Sequence, residues 1–227
     1  LSARAQPRQL AFALPHAESL EREDFLEGPA NAAAVELIDR WPDWPNRVVM
    51  LVGDTGSGKS HLASIWAANA GARSTSARVL TADAVPGALA TGALVLEDVA
   101  PIDVDERALF HLLNLARQEE ADLLMTARTP PVGWTLQLPD LQSRLRAVPV
   151  VTLAPPDDAL LRALIVKLCV DRQLSVDDAL VSYIASRIER SFAAARAAVA
   201  LLDAEALRLR RPVTRALAAE LLRDPAG

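Results

Sequence analysis

Residues 47–63 read RVVMLVGDTGSGKSHLA, and this stretch decides the fold. RVVMLVG (47–53) is a short, uninterrupted apolar run, the pattern of a strand covered on both faces of a parallel sheet. Gly53-Asp54-Thr55-Gly56-Ser57-Gly58-Lys59-Ser60 then satisfies G-x-x-x-x-G-K-[ST]. The glycines let the backbone curl with its N–H groups inward, where they and a helix N-terminus bind phosphate oxygens. In such a loop Lys59 reaches the β- and γ-phosphates and the Ser60 hydroxyl binds Mg²⁺. A plain Gly/Ser turn is the bland alternative. The apolar strand before the motif and the helix expected over 59–70 supply the context that the phosphate loop requires. Lysine is also scarce: Lys59 and Lys167 are the only two in the chain, against a background of arginine.

A phosphate loop needs an acidic contribution from a neighbouring strand. ALVLEDV (93–99) offers it, carrying Glu97 and Asp98 to a strand's C-terminal end, where open α/β sheets bind ligands. The first acid directs Mg²⁺ and the second orients an attacking water, which places Glu97 at the metal and Asp98 in a catalytic position. Glu97 is one methylene longer than the aspartate many such ATPases carry. Nucleotide binding is therefore better supported than vigorous hydrolysis.

Working outward, residues 1–20 read as an extended leader rich in Pro, Gln, Ala and Ser. A helix is expected from Pro29 to Arg40, burying Ala33, Ala34, Val35, Leu37 and Ile38, and the two prolines of WPDWPNR end it. RVLTADA (78–84), ADLLMTA (121–127) and VPVVTL (148–153) are further strand candidates, with a helix over 105–118 between. Alternating strands and helices imply right-handed crossovers and a parallel sheet with helices on both faces. After APPDD (154–158) no strand-like run remains, and amphipathic helices are expected over 157–171, after Ser175, from Ser191 and from Thr214. Ser175 with Asp178 reads as the capping pair of the second, which should bury Leu180, Val181, Ile184 and Ile188. The expected division is leader 1–20, α/β base 21–153 and all-α lid 154–227.

The totals bound what such a chain does. Its 227 residues are 51% hydrophobic and 23% charged, which excludes a disordered chain. No apolar run approaches the roughly 18 residues of a membrane span, and no secretory signal is visible, so a cytoplasmic location is expected. A net charge of −5 with no clustered basic face argues against strong direct DNA binding. The lone Cys169 leaves no disulfide framework and reads as a small core residue. His16, His61 and His111 form no metal set, and Trp41, Trp44, Trp66 and Trp134 read as packing residues.

With the phosphate loop, the acidic pair and the helical tail together, the chain resembles AAA+ proteins, and among them the Hda-type relatives of the bacterial replication initiator DnaA. FLEGPANAAA (25–34) is similar to the segment that precedes the phosphate loop in DnaA-like proteins and packs near adenine, which implicates Phe25, Leu26 and Asn31. GDTGSGKSHL matches their phosphate loop, including His61. LPDLQSRL (138–145) is similar to their Ser-Arg segment, which implies that Arg144 acts as an arginine finger across a subunit interface. From its residues alone, this segment is equally a polar helix end. QLAFAL (9–14) resembles their sliding-clamp peptide, with Gln9, Leu10, Phe12 and Leu14 as its contacts, and Pro7 and Pro15 keep it out of a central strand.

The resemblance implies ADP or ATP with Mg²⁺ as ligands, and a DnaA-like initiator and the polymerase sliding clamp as partners. It also implies self-association through the AAA+ interface and a role at the replisome: stimulating ATP hydrolysis by DnaA to limit re-initiation. Three departures stand out. Thr126-Ala127-Arg128 occupies a strand end where relatives often place aspartate. The lid's sensor arginine falls at Ala193, with Arg190 and Arg196 about a turn away on either side. The acidic pair is Glu-Asp. All three favour nucleotide as a switch over rapid turnover. The competing readings are a helicase-loader-like ATPase acting on DNA and a small-molecule kinase.

Overall fold

The computed structural model describes residues 22–222. α1 (Ala32–Asp39) leads into β1 (Val48–Val52), and α2 (Lys59–Ala70) into β2 (Arg73–Ser76). The short α3 (Val85–Ala88) precedes β3 (Ala93–Val99), α4 (Glu106–Gln118) precedes β4 (Asp122–Ala127), and α5 (Pro139–Arg146) precedes β5 (Val150–Thr152). The strands form one sheet in the order β2-β3-β4-β1-β5, and every pairing is parallel.

β1 is the central example of how the sequence builds this sheet. Val49 and Leu51 face a cluster that includes Val35 of α1 and Leu62 and Trp66 of α2. Met50 and Val52 face the opposite cluster, with Leu109 and Leu112 of α4 and Leu141 of α5. Successive side chains point to opposite faces, and both faces are covered, so the strand is apolar throughout. Trp66 is fully buried, with Trp44 stacked on it at 5.0 Å and Trp41 meeting it edge-on at 6.3 Å. The packing role expected of the tryptophans is what the structure shows.

The remaining helices, α6 (Asp158–Asp171), α7 (Asp178–Arg187), α8 (Phe192–Leu209) and α9 (Arg215–Leu221), surround an apolar cluster of their own built on Leu161, Ile165, Ile184, Val199 and Leu202. Each starts under a side-chain cap: Asp157, Asp177, Ser191 and Thr214 accept from Leu160, Leu180, Ala194 and Leu217 N–H at 2.8, 2.7, 3.0 and 3.3 Å.

Several expectations need correction. Residues 78–84 are not a strand; they form two 3₁₀ turns, and the strand is the polar stretch Arg73–Ser76 before them. Among the described residues β2 lies on the sheet edge, paired only with β3, so it needs no apolar alternation. Ala77 and Leu80 are buried from a turn and Val85 from the start of α3, with no strand between them, which produced the misleading pattern. The cap of α7 is Asp177, whose extended backbone (φ −99°, ψ 167°) aims its carboxylate at Leu180 N–H; Ser175 lies two residues too early. Ile188 ends that helix half-exposed, and Ala33 faces solvent. α1 starts at Ala32, because Asn31 is its N-cap residue and residues 25–30 form a loop. Gln9, Leu10, Phe12, Leu14 and His16 lie outside the described residues. Among the described residues, no helix is long and apolar enough to cross a membrane.

Candidate nucleotide site

β1 ends at Val52, and the N–H of Gly53 donates to the Ala127 carbonyl of β4 at 3.2 Å. Gly53 has no room for a side chain, since a Cβ would meet the Leu153 carbonyl oxygen at 2.6 Å and Ser57 Oγ at 2.8 Å. The chain then curls through Gly56 (φ +78°) and Gly58 (φ +100°), left-handed positions where glycine is unstrained. Gly58 is the N-cap of α2 and supplies no side-chain cap. The first-turn N–H groups of α2 have no acceptor within the helix, and their partial positive charge makes an anion-binding end.

Lys59 is buried and bends back into the loop, with Nζ donating to the carbonyls of Gly53 and Asp54 at 2.7 and 2.8 Å and to Ser57 Oγ at 3.4 Å. Burial pushes its ammonium below the ordinary lysine value; Asp98 opposes that, Arg128 adds to it and Asp54 opposes it more weakly. The Ser60 hydroxyl donates to Glu97 Oε2 at 2.8 Å. A hydroxyl and a carboxylate oxygen side by side, from different segments, are hard donors suited to Mg²⁺, which takes few protein ligands. The longer Glu97 side chain spans the gap to Ser60.

Asp98 is held differently. The β3–β4 register shifts between Leu96 and Val99, and Asp98 sits at φ +55° in that irregularity. Its N–H donates to Thr126 Oγ1 at 3.0 Å, and Thr126 is buried. The bulge re-aims the strand end, so that neighbouring acids leave the alternation of the strand. Thr126, expected at the strand-end sensor position, fixes the backbone of Asp98.

Phe25 forms one wall. A Cβ on Gly58 would lie 3.3 Å from the Phe25 ring. That ring meets His61 edge-on at 5.1 Å and lies near-parallel to Phe192 of α8 at 6.3 Å. His61 is buried on α2, and its Nδ1 lies 3.2 Å from Arg196 Nη2. Asn31 Nδ2 donates to Leu26 O at 2.9 Å and its Oδ1 accepts from Gly28 N–H at 2.8 Å, so its polar ends shape the Phe25–Gly28 loop. Leu26 packs against the helical cluster.

The tail reaches the phosphate loop directly. Phe192 N–H donates to the Gly56 carbonyl at 3.0 Å, and Ala193 packs against Gly56. Gly56, Gly58, Lys59, His61, Phe192 and Arg196 are among the residues lining a cavity of about 110 Å³ there. Of the two lid arginines, Arg196 borders the cradle, whereas Arg190 pairs with Asp158 at 2.8 Å and lines a different cavity. Sequence reasoning placed Phe192 only on an apolar helix face; its contact with residue 56 joins segments far apart in the chain.

Arg144 lies elsewhere. It sits at 5.0 Å over the Phe110 ring and lines a cavity of about 480 Å³ with Arg47, Val48 and Arg117, at the start of β1. The phosphate loop leaves the other end of β1, about 16 Å away at the rise of a parallel strand. Cys169 is buried and its thiol is pushed up to about 11, mainly by burial, so it is chemically quiet. Among the described residues, no group of three His, Cys, Asp or Glu could hold a metal ion.

No family model matches the chain. Solved structures do. Domain III of the replication initiation protein DnaA from Thermotoga maritima gives a TM-score of 0.74 at 19% identity, covering 89% of this chain and 95% of that one. AMPPCP-bound DnaA from Aquifex aeolicus gives 0.68 at 18% identity, covering 82% of this chain and 65% of that one. A RuvB variant from Thermotoga maritima gives 0.70 at 16% identity, covering 89% and 70%. The chain thus has the AAA+ fold: a parallel five-stranded sheet between helices, followed by a helical tail. Within that class it is similar to the AAA+ parts of DnaA and RuvB.

Proposed function

We propose that this protein is a regulatory AAA+ protein that binds ADP or ATP with Mg²⁺ and stimulates ATP hydrolysis by a DnaA-like initiator while tethered to the sliding clamp. The observation that carries the nucleotide reading is the convergence at the end of β1: an uncapped α2 N-terminus, a buried Lys59 and the Ser60–Glu97 pair. In this reading the loop from Gly53 to Ser60 cradles the phosphates, Asp54 and Thr55 forming its outer turn, and Ser60 with Glu97 holds Mg²⁺. Phe25, Leu26, Asn31 and His61 shape the base side, and Asp98 faces the attacking water. The bound metal supplies charge neutralisation at the phosphates.

The likeness to DnaA domain III supports the replication context, and the position of Arg144 supports action in trans. A side chain at the far end of β1 from its own phosphate loop does not serve that loop. Delivered to a neighbouring subunit, a guanidinium neutralises charge on a transferring phosphoryl group, an effect worth roughly 10³–10⁵ in rate. Gln9, Leu10, Phe12 and Leu14 present alternate anchors of the kind an extended peptide uses in a partner's pockets. Clamp-dependent stimulation of DnaA's ATPase is the test. Arg144→Ala abolishes stimulation while clamp pull-down persists, and removal of residues 1–15 abolishes pull-down. Undiminished stimulation by Arg144→Ala sinks the finger assignment.

The RuvB likeness motivates a second reading, a motor or loader acting on DNA. The net charge of −5 weighs against it. Strong single-strand binding together with rapid intrinsic turnover would favour it.

A further inference from the structure

We propose that α4 is the seat of Arg144: Glu106 and Phe110, one turn apart on that helix, are positioning residues that present the guanidinium to the partner. The assignment rests on the reading of Arg144 as a finger acting in trans and extends it to two residues of another helix.

α5, the helix that carries Arg144, does not start under a cap of its own. Its N-cap residue is Leu138, whose side chain has no acceptor, and Pro139 follows at the first helical position without an N–H. Glu106, the first residue of α4, supplies the acceptor from outside: Oε1 accepts from Gln137 N–H and Oε2 from Leu138 N–H, both at 2.8 Å. One bond to each oxygen of a single carboxylate fixes the orientation of the α5 start as well as its distance, and the negative charge sits at the positive end of the α5 dipole. α4 is itself anchored at the same point, where Asp105 Oδ1 accepts from Arg107 and Ala108 N–H at 2.9 and 3.1 Å.

Four residues along α4, on the same face as Glu106, the Phe110 ring carries the Arg144 guanidinium at 5.0 Å. One helix thus holds both the start of α5 and the charged residue near its end. Among the described residues no carboxylate pairs with Arg144, and Glu120, which lines the same cavity, pairs with Arg47 at 3.5 Å. A guanidinium resting on a ring keeps its charge and its forked donors for an incoming phosphate, whereas a carboxylate partner would occupy them. The buried Leu141 and Leu145, with the bond from Gln142 Nε2 to the Trp134 carbonyl at 2.9 Å, set the rotation of α5. Loss of the Glu106 bonds therefore frees the leading end of α5 and lets Arg144 drift. Neither Glu106 nor Phe110 lines the cavity at the phosphate loop, so nucleotide binding by this chain does not depend on them.

The test is stimulation of a DnaA-like initiator's ATPase by the clamp-tethered full chain, titrated to saturation. The proteins compared are the unmodified chain, Glu106→Ala, Glu106→Gln, Phe110→Leu, Arg144→Ala and the double variant Glu106→Ala with Arg144→Ala. Glu106→Ala is expected to lower the maximal rate by about tenfold to a hundredfold, the effect of misplacing a reacting group by about 1 Å. The half-saturating concentration and this chain's own ADP affinity stay unchanged. Glu106→Gln keeps the shape and one acceptor and restores part of the rate, and Phe110→Leu keeps the apolar bulk and lowers the rate less than Glu106→Ala; these two carry the test should Glu106→Ala fail to fold. The double variant is no slower than Arg144→Ala alone, because a misplaced finger and an absent one fail at the same step. A full maximal rate in Glu106→Ala, a rise in half-saturating concentration alone, or a further loss in the double variant overturns the inference while the finger stands. If Arg144→Ala itself stimulates fully, the finger reading fails and takes this inference with it.

Discussion

Gly56 joins the phosphate loop to the helical tail, and Gly56→Ala tests that joint. The residue has φ +78°, and its carbonyl accepts from Phe192 N–H at 3.0 Å. A Cβ there would lie 2.7 Å from Ala193 Cβ and 3.3 Å from Ala193 N. Two costs add. The left-handed backbone costs a non-glycine residue about 1–2 kcal/mol. A carbon–carbon approach that close pushes the start of α8 off the loop, and overpacking of this kind costs about 1–3 kcal/mol. The sum, about 2–5 kcal/mol, lowers Tm by roughly 5–15 °C in a chain of this size. Ala193→Gly alone costs about 1 kcal/mol in helix propensity. In the Gly56→Ala background it removes the close contact, so the double variant is more stable than the sum of the single changes by about 1–2 kcal/mol. Denaturant and thermal melts of the four proteins complete the cycle. If Gly56→Ala costs less than about 0.5 kcal/mol, the level of an ordinary surface change, or if the two changes add, the loop does not seat the tail and the reasoning is wrong.

Thr126→Val keeps the shape of the β4 end but removes the acceptor for Asp98 N–H, and denaturant melts should show a loss of about 1–3 kcal/mol. The Lys167 ammonium donates to Asp24 Oδ1 at 2.6 Å and Asp171 Oδ2 at 3.0 Å, and these hydrogen bonds, that to Asp24 foremost, hold its pKa above the ordinary value against the opposing effect of burial. A raised lysine pKa stabilises the fold below the unfolded value and ceases to do so as pH climbs through the folded one. Melts of the unmodified protein should therefore decline on the alkaline side of about pH 10, and Lys167→Met should show a shallower decline there. Cys169, with its thiol pushed up to about 11, should react with a thiol reagent at pH 8 only slowly in the folded protein and promptly after denaturation. A fast folded-state reaction would show that α6 opens readily.

The parts legible in the sequence were those with local causes. The helix over 59–70 and the strand over 93–99 coincide with α2 and β3, because a glycine-framed start and a doubly covered strand leave their marks within a few residues. Ser191 and Thr214 were recognised as helix starts for the same reason, since a cap reaches only to the third residue on. β2 was misplaced because an edge strand owes its pairing to β3, about twenty residues later, rather than to its own side chains. Ser175 reads as the cap although Asp177 is the cap in the structure, because both residue types suit that role, they lie two apart on either side of Val176, and only backbone direction selects between them.

By itself the sequence determined that a phosphate loop leaves a buried strand, that an acidic pair ends another, and that helices replace strands after residue 154. These follow from spacing, periodicity and glycine's freedom, all short-range properties. The tertiary structure decided what meets at that loop: Glu97 at Ser60, Thr126 beneath Asp98, Ala127 beside Gly53, Phe192 and Ala193 over Gly56. It also carried Arg144 to the far end of β1. Strand order and register make those choices, and they are set by how two apolar faces of a sheet are covered at once, which no local stretch of the chain encodes.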